Sequence, residues 1–230
     1  MKQPTIHLWD IDGTLVSSGG AGRRAMERAF AVVLGAGMHA GFSFAGMTDR
    51  SIARTGIRNA GLSDDEAAID HLLEVYLGIL ADSVPREMGY RVLPGVREAL
   101  DATRGVEGLA VGLGTGNVRR GARIKLERVG LHAEFAFGGF GCDSEDRAEL
   151  LRAGAERGAT ALGVPRAECR VIVIGDTTRD VDAARRAGAE CLAVGTGGTP
   201  VEDLRGAGAT WALADLASPA ALAVLLDRVP

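Results

Sequence analysis

The chain has 230 residues, 47% of them hydrophobic, enough for one large core or for a core with a smaller appendage. Its 26 basic and 30 acidic residues leave a formal charge of −4, which gives no general reason to expect nucleic acid or an anionic membrane as partner. The first apolar run meets Asp10 too early for a secretory leader or a bilayer span, so a cytoplasmic location is expected. Cys142, Cys169 and Cys191 lack the paired spacing of a zinc or redox motif. Only Lys2 and Lys125 are lysines, beside 33 glycines, a compositional bias with consequences further on.

Residues 5–9 read as a first strand, a short apolar run closed by Asp10. From 22 to 35, Met26, Ala29, Phe30, Val33 and Leu34 fall at helical spacing. A second helix is predicted over 49–60, stopped by Gly61. A third, over 64–84, buries Ile69, Leu72, Leu73, Tyr76, Leu77 and Leu80 on one stripe, with Ser63 as its N-cap.

After Pro94 and Gly95 the pattern alternates. Helices are expected at 96–104, 118–129, 146–157, 179–187, 201–204 and 219–226, and strands at 109–113, 135–137, 170–174, 191–194 and 210–213. Such alternation means a parallel sheet covered by helices on both faces. The stretch 170–174 (RVIVI) has the unbroken β-branched character of a central strand. The first strand belongs most simply to the same sheet. The expected fold is therefore α/β: a Rossmann-like parallel sheet core flanked by helices, built from residues 1–15 and 89–230, with a small all-helical domain, residues 16–88, inserted after the first strand.

In such a sheet ligands sit beyond the carboxyl ends of the strands. The first strand runs into Asp10, Ile11, Asp12, Gly13 and Thr14; the next into GTGN at 114–117; RVIVI into GDTTRD at 175–180. Four carboxylates (Asp10, Asp12, Asp176, Asp180), Thr115 and Asn117 therefore converge on one edge. Asp10 and Asp12 repel each other unless a cation or a proton intervenes, so this edge is a binding site.

Plainer readings exist for each motif alone. DIDG is compatible with an Asx turn, and GDTTRD with a helix start in which Asp176 or Thr177 caps and Asp180 favours the dipole. A calcium loop fails, because Thr14 and Ala21 fall where it needs a ligand and a glutamate. GLGTGN does not have the spacing of a dinucleotide-binding loop, and no G-x-S-x-G is present. His7, on an apolar strand, reads as structural.

DIDGTL, GTGN and GDTTRD, in that order and with a helical insertion after the first, resemble the haloacid dehalogenase-like hydrolase superfamily, most closely its phosphoglycolate-phosphatase-like members. The resemblance covers nearly the whole chain. It implies a Mg²⁺-dependent phosphatase that acts on a small phosphate monoester through an aspartyl-phosphate, with a small phosphorylated metabolite as its partner; from the charge balance neither nucleic acid nor membrane is expected.

By that resemblance Asp10 is the nucleophile and Asp12 the general acid and then base. Asp10, the Asp12 backbone carbonyl and Asp176 hold the metal, and Asp180, four residues later, orients Asp176 or its waters. Thr115 and the backbone amides of Gly116 and Asn117 bind phosphoryl oxygens at a helix start. Where the family carries a lysine, CDSEDRAELL offers Arg147, which keeps the charge and can fork across two oxygens. Lys125 is set aside as lying inside the helix after GTGN, a turn or more from the site.

The stretch 46–50 (GMTDR) opens the second helix of the insertion, and in the family such caps close over the substrate. Arg50 or Arg54 would suit a substrate carboxylate or a second phosphate, but a solvated helix face explains them equally well, and neither is assigned. Two other readings stand beside the phosphatase: a phosphomutase with the same acids, and a non-catalytic binding module, which the presence of all four acids disfavours. A dehalogenase would leave Asp12 without a task. A phosphonate hydrolase would use a lysine in the insertion, and residues 16–88 contain none.

Overall fold

The computed structural model describes residues 3–35 and 41–227. In chain order these form β1 (Thr5–Trp9), β2 (Val16–Ser17), α1 (Ala21–Val33), α2 (Asp49–Asn59), α3 (Glu66–Ser83), β3 (Arg91–Val92), α4 (Val96–Thr103), β4 (Leu109–Thr115), α5 (Arg119–Glu127), β5 (Gly138–Phe140), α6 (Arg147–Leu162), β6 (Arg170–Gly175), α7 (Thr178–Arg186), β7 (Glu190–Val194), α8 (Val201–Gly206), β8 (Trp211–Leu213) and α9 (Pro219–Leu225). No described helix is long and apolar enough to cross a membrane.

Six strands form one parallel sheet in the order β5-β4-β1-β6-β7-β8. β1 lies between β4 and β6, with Trp9 level with Leu113 on one side and Ile174 on the other. That register sets the ends of the three strands side by side, which brings residues 10–14, 115–117 and 176–180 onto one rim. Both sheet faces are buried, as expected of parallel strands. Trp9, Ile172, Ile174 and Leu192 pack on one face toward α4 and α9. Ile6, Leu8, Val171 and Val173 pack on the other toward α6 and α7.

Helices α1–α3 gather around a separate cluster that includes Met26, Phe30, Ile52, Ile57, Ile69, Leu72, Tyr76 and Leu80. Gly56 lets α2 approach α1: a Cβ there would lie 2.4 Å from the Phe30 ring. The two chain crossings between this helical group and the sheet are tied together, because β2 and β3 pair antiparallel with Val16 opposite Val92. The sequence reading did not anticipate this ribbon, since two residues per strand are too few to show a period.

Two further expectations are corrected. The strand placed at 135–137 lies at Gly138–Phe140. Its glycines lowered its apparent strand character, yet they are what the packing needs, for a Cβ on Gly139 would lie 1.8 Å from the Leu150 carbonyl oxygen of α6. The N-cap of α3 is Asp65 rather than Ser63, its carboxylate accepting from the Ala68 amide at 2.9 Å.

His7 is fully buried in β1 between Val111 and Ile172, and neither ring nitrogen has a hydrogen-bond partner. Burial, helped by the nearby Arg170 charge, pushes its pKa down to about 3. The folded protein thus binds fewer protons than the unfolded chain between about pH 3 and 6.5, and stability falls as pH drops through that window. By pH 4 the loss amounts to about 3 kcal/mol. His7→Leu is expected to flatten this part of the stability profile, measured by urea unfolding of both proteins from pH 4 to 8; parallel profiles would show that His7 does not set the acid sensitivity.

Candidate active site

The first acidic pair follows β1 directly and then turns back. Gly13, at φ +82°, makes the turn, and its amide bonds the Val16 carbonyl at 2.9 Å. Although two residues apart, Asp10 and Asp12 have separate partners. Asp10 is buried, with Oδ2 2.9 Å from Nη2 of Arg147. Asp12 turns toward Asn117 and Lys125, its Oδ2 accepting from Asn117 Nδ2 at 3.0 Å and from Lys125 Nζ at 2.5 Å.

The other strand ends complete the rim. Thr115, last residue of β4, is fully buried, and its Oγ1 accepts from Asn117 Nδ2 at 2.9 Å. After β6, Thr177 caps α7: its hydroxyl accepts from the Asp180 amide, while Asp180 Oδ2 accepts from the Thr177 amide at 3.0 Å and the Thr177 hydroxyl at 2.7 Å. Capping therefore fixes Asp180 through Oδ2 and leaves Oδ1 2.5 Å from Arg147 Nη2. Asp176 accepts from the Thr14 hydroxyl at 3.2 Å. Two backbones press on its other oxygen: a Cβ at Gly13 or Gly197 would fall 2.3 or 1.6 Å from Asp176 Oδ2.

Asp10, Asp176 and Asp180 each offer an oxygen within 4.8 Å of the others. Burial, then Asp180 and Asp10, pushes Asp176 up to about 9. Burial likewise raises Asp10 to about 6, against the pull of Arg147 and of the Thr115 hydroxyl. The guanidinium facing them does not balance three carboxylates: Arg147 Nε and Nη2 and Asp180 Oδ1 are buried without an aligned hydrogen bond. An all-oxygen donor set with excess negative charge fits a hard divalent cation such as Mg²⁺. Asp12 behaves oppositely. Burial works to raise its pKa, but the Lys125 ammonium and its hydrogen bonds prevail and hold the carboxyl below the usual range.

The residues expected at the site, Asp10, Asp12, Thr115, Gly116, Asn117, Arg147, Asp176 and Asp180, all lie at this rim, and all but Thr115 and Asp180 line a cavity of about 500 Å³. Lys125 corrects the reading that set it aside. It stands in the last turn of α5, but helical side chains lean toward the helix N-terminus, and its long stem carries Nζ back to Asp12 and to Asn117 Oδ1, 2.6 Å away.

Asp49 was also missed as part of the site. Thr48 caps α2 through a reciprocal bond with Ser51, and this helix start is docked on the sheet rim: the Asp49 amide bonds the Gly116 carbonyl at 2.8 Å, and Asp49 Oδ2 accepts from the Val118 amide at 2.9 Å. Gly116 permits the approach, since a Cβ there would lie 2.5 Å from the Met47 carbonyl oxygen. Arg54 is not a solvated side chain but a bridge, its guanidinium bonded to Glu145 of the sheet domain and to Asp64 and Glu66. The far wall of the cavity comes from the helical group, with Met26, Phe44, Ile52 and Tyr76 apolar and Arg23 stacked over the Phe44 ring at 4.7 Å.

The profile of haloacid dehalogenase-like hydrolases matches residues 6–188. The phosphoglycolate phosphatase of Synechococcus elongatus is 31% identical over 221 residues, which is 90% of this chain and 91% of the relative. Among solved structures, a hydrolase from Pseudomonas syringae superposes with a TM-score of 0.70 at 24% identity, over 98% of this chain and 99% of the other. CbbY from Rhodobacter sphaeroides, solved in complex with phosphate, gives 0.72 at 17% identity over 96% and 99%. The structural likenesses speak for the fold, and the two sequence matches, which span most of the chain, speak for descent. The chain belongs to the haloacid dehalogenase-like hydrolases.

Proposed function

We propose that this hydrolase is a Mg²⁺-dependent phosphatase of a small phosphate monoester, phosphoglycolate-like in size, working through an aspartyl-phosphate on Asp10. The observation that carries the reading is the separation of the two acids of DIDG. Asp10 faces Arg147 and the carboxylate cluster, while Asp12, next on the same turn, is held by Lys125 and Asn117. One acid is thus available for attack on phosphorus and the other for proton transfer.

Asp10, Asp176 and the backbone carbonyl of Asp12 are the residues to hold Mg²⁺, with Asp180 braced behind them. When bound, the ion supplies the positive charge that lets a carboxylate approach an anionic phosphoryl group. The remaining work belongs to the chain. Arg147, Thr115 and the amides of Gly116 and Asn117 bind the phosphoryl oxygens and stabilise their spread charge. An Asp10 oxygen bonds to phosphorus as the bond to the leaving oxygen breaks, and Asp12, which Lys125 keeps ionised in the free protein but which takes up a proton once the anionic phosphoryl group sits beside it, gives that proton to the leaving oxygen. Water then gives a proton to Asp12 and attacks the acyl-phosphate, which releases inorganic phosphate and restores the Asp10 carboxylate.

Residues 16–88 act as a cap: docked through Asp49 and Arg54, they form one wall of the cavity and narrow the access of bulk water to it. Phosphoglycolate itself enters as a candidate through the Synechococcus relative.

The test is phosphate release from phosphoglycolate, sugar phosphates and other small esters, with Mg²⁺ and with chelator. Release that needs Mg²⁺ and stops with chelator is the expected outcome, with the ranking of esters defining what the cap admits. Chelator-insensitive release would overturn the metal assignment. Transfer to a sugar instead of water would make the protein a phosphomutase, and binding of esters with no turnover a non-catalytic module.

A further inference from the structure

The buried ammonium of Lys125 has no part in the scheme above, although it lies in the middle of the site. Its side chain is 4% exposed, in a chain whose other lysine is Lys2. Burying a lysine is unfavourable unless its donors are met. Two are met by the sheet domain, Asp12 Oδ2 at 2.5 Å and Asn117 Oδ1 at 2.6 Å. The helical group closes on the ammonium as well. Asp49 interacts with it electrostatically, and a Cβ at Gly22 of α1 would lie 3.2 Å from Nζ.

The geometry extends beyond one ion pair. Lys125 on Asn117 Oδ1 decides which way that amide faces, so that Nδ2 is turned to both Asp12 Oδ2 and Thr115 Oγ1. Lys125 and Asn117 donate to the same oxygen of Asp12, which fixes the carboxylate from one side while the group as a whole stays 39% exposed to the cavity.

We propose that Lys125 is a positioning residue: it aims the proton-transferring Asp12, and through Asn117 the Thr115 hydroxyl, and it ties that aim to the docked cap through Asp49. This rests on the phosphatase reading and on the role given there to Asp12. It assigns the lysine to alignment rather than to substrate binding, because two of its three donors are spent on protein oxygens and the ammonium also faces the Asp49 carboxylate.

The experiment compares Lys125→Met with the native enzyme on one hydrolysed ester, alone and in an Asp12→Asn background. Lys125→Met is expected to lower kcat at least about tenfold, part of what proton transfer contributes. KM and the inhibition constant of inorganic phosphate should each stay within about threefold. In the Asp12→Asn background the substitution should add no further loss, since groups acting as a unit are non-additive. A raised KM with kcat unchanged would mean that Lys125 binds substrate directly, and an additive loss would mean that it does not act through Asp12; either overturns the proposal.

Should Lys125→Met fail to fold, Lys125→Met combined with Asp49→Asn removes the buried cation together with its counter-charge and carries the same comparison. Asp10→Asn in the same assay separates the two levels. Turnover that survives without Asp10 defeats the phosphatase reading, whereas turnover that needs Asp10 but ignores Lys125 defeats only this proposal.

Discussion

Asp10→Asn is expected to lower hydrolysis of every phosphate ester by about 10⁴-fold or more, the usual scale for removing a covalent nucleophile. The same substitution should leave the protein folded and no less heat-stable. Both halves follow from the surroundings of Asp10. Asparagine has nearly the same shape but its amide does not attack phosphorus. In the folded protein burial and the carboxylates of Asp180 and Asp12 raise the Asp10 pKa to about 6, with Arg147 and Thr115 opposing them. A neutral amide relieves that crowding, and Arg147 keeps its contact with Asp180. Phosphate release together with thermal unfolding checks the prediction. Lost activity with a preserved melting transition identifies a reacting group; a melting transition lowered in step with activity would make Asp10 a structural acid.

Much of the fold was legible because regular elements leave a local trace. The run 170–174 announced a central strand by its β-branched residues, and β6 is the fourth strand in the sheet order, next to β1. The acids after each strand were legible for a related reason: parallel connectivity places strand ends on one rim, so their order along the chain was enough to bring Asp10, Asp12, Thr115, Asn117, Asp176 and Asp180 together. The start of α7 was likewise legible, with Asp176 or Thr177 expected as its cap; Thr177 is the one that caps, and Asp180 closes the bond in return instead of only favouring the dipole.

What was not legible depends on contacts between distant residues. Asp49 finds the Val118 amide 69 positions away, Arg54 finds Glu145 across 91, and Lys125 finds Asp12 across 113. None has a period or a spacing rule. Lys125 was also misjudged by counting turns along the helix axis, which ignores the backward lean and length of its side chain. Gly22 carried the one local hint. Standing in the first turn of α1, it leaves room for a close approach, and the group that approaches is the Lys125 ammonium.

Arg147 offers the second large effect, because it distinguishes charge from shape. Its Nη2 lies 2.9 Å from Asp10 Oδ2 and 2.5 Å from Asp180 Oδ1. Arg147→Met withdraws a buried cation from three buried carboxylates, and stranding buried charges in this way costs about 3–5 kcal/mol. Turnover should fall by about 10³-fold, since a donor to the phosphoryl oxygens is lost as well. Added Mg²⁺ should restore part of the stability by occupying the acids that Arg147 no longer faces, but not the turnover.

Arg147→Lys is the sharper comparison. It keeps the charge, so stability should stay within about 1–2 kcal/mol of native, but it loses the planar fork. The site is shaped around that fork: a Cβ on Gly116 would lie 3.0 Å from Arg147 Nη1, so the guanidinium lies close against backbone where a slimmer ammonium would leave a gap. Turnover is therefore expected to drop about tenfold to a hundredfold, with KM affected along with kcat because the phosphoryl oxygens lose a bidentate donor in ground and transition state alike. Full activity with lysine would mean that only the charge matters, and that arginine stands at 147 because this chain uses lysine so sparingly. A loss on the expected scale would mean that Arg147 and Gly116 form one fitted phosphate-binding surface, in which the larger cation requires the missing side chain opposite it.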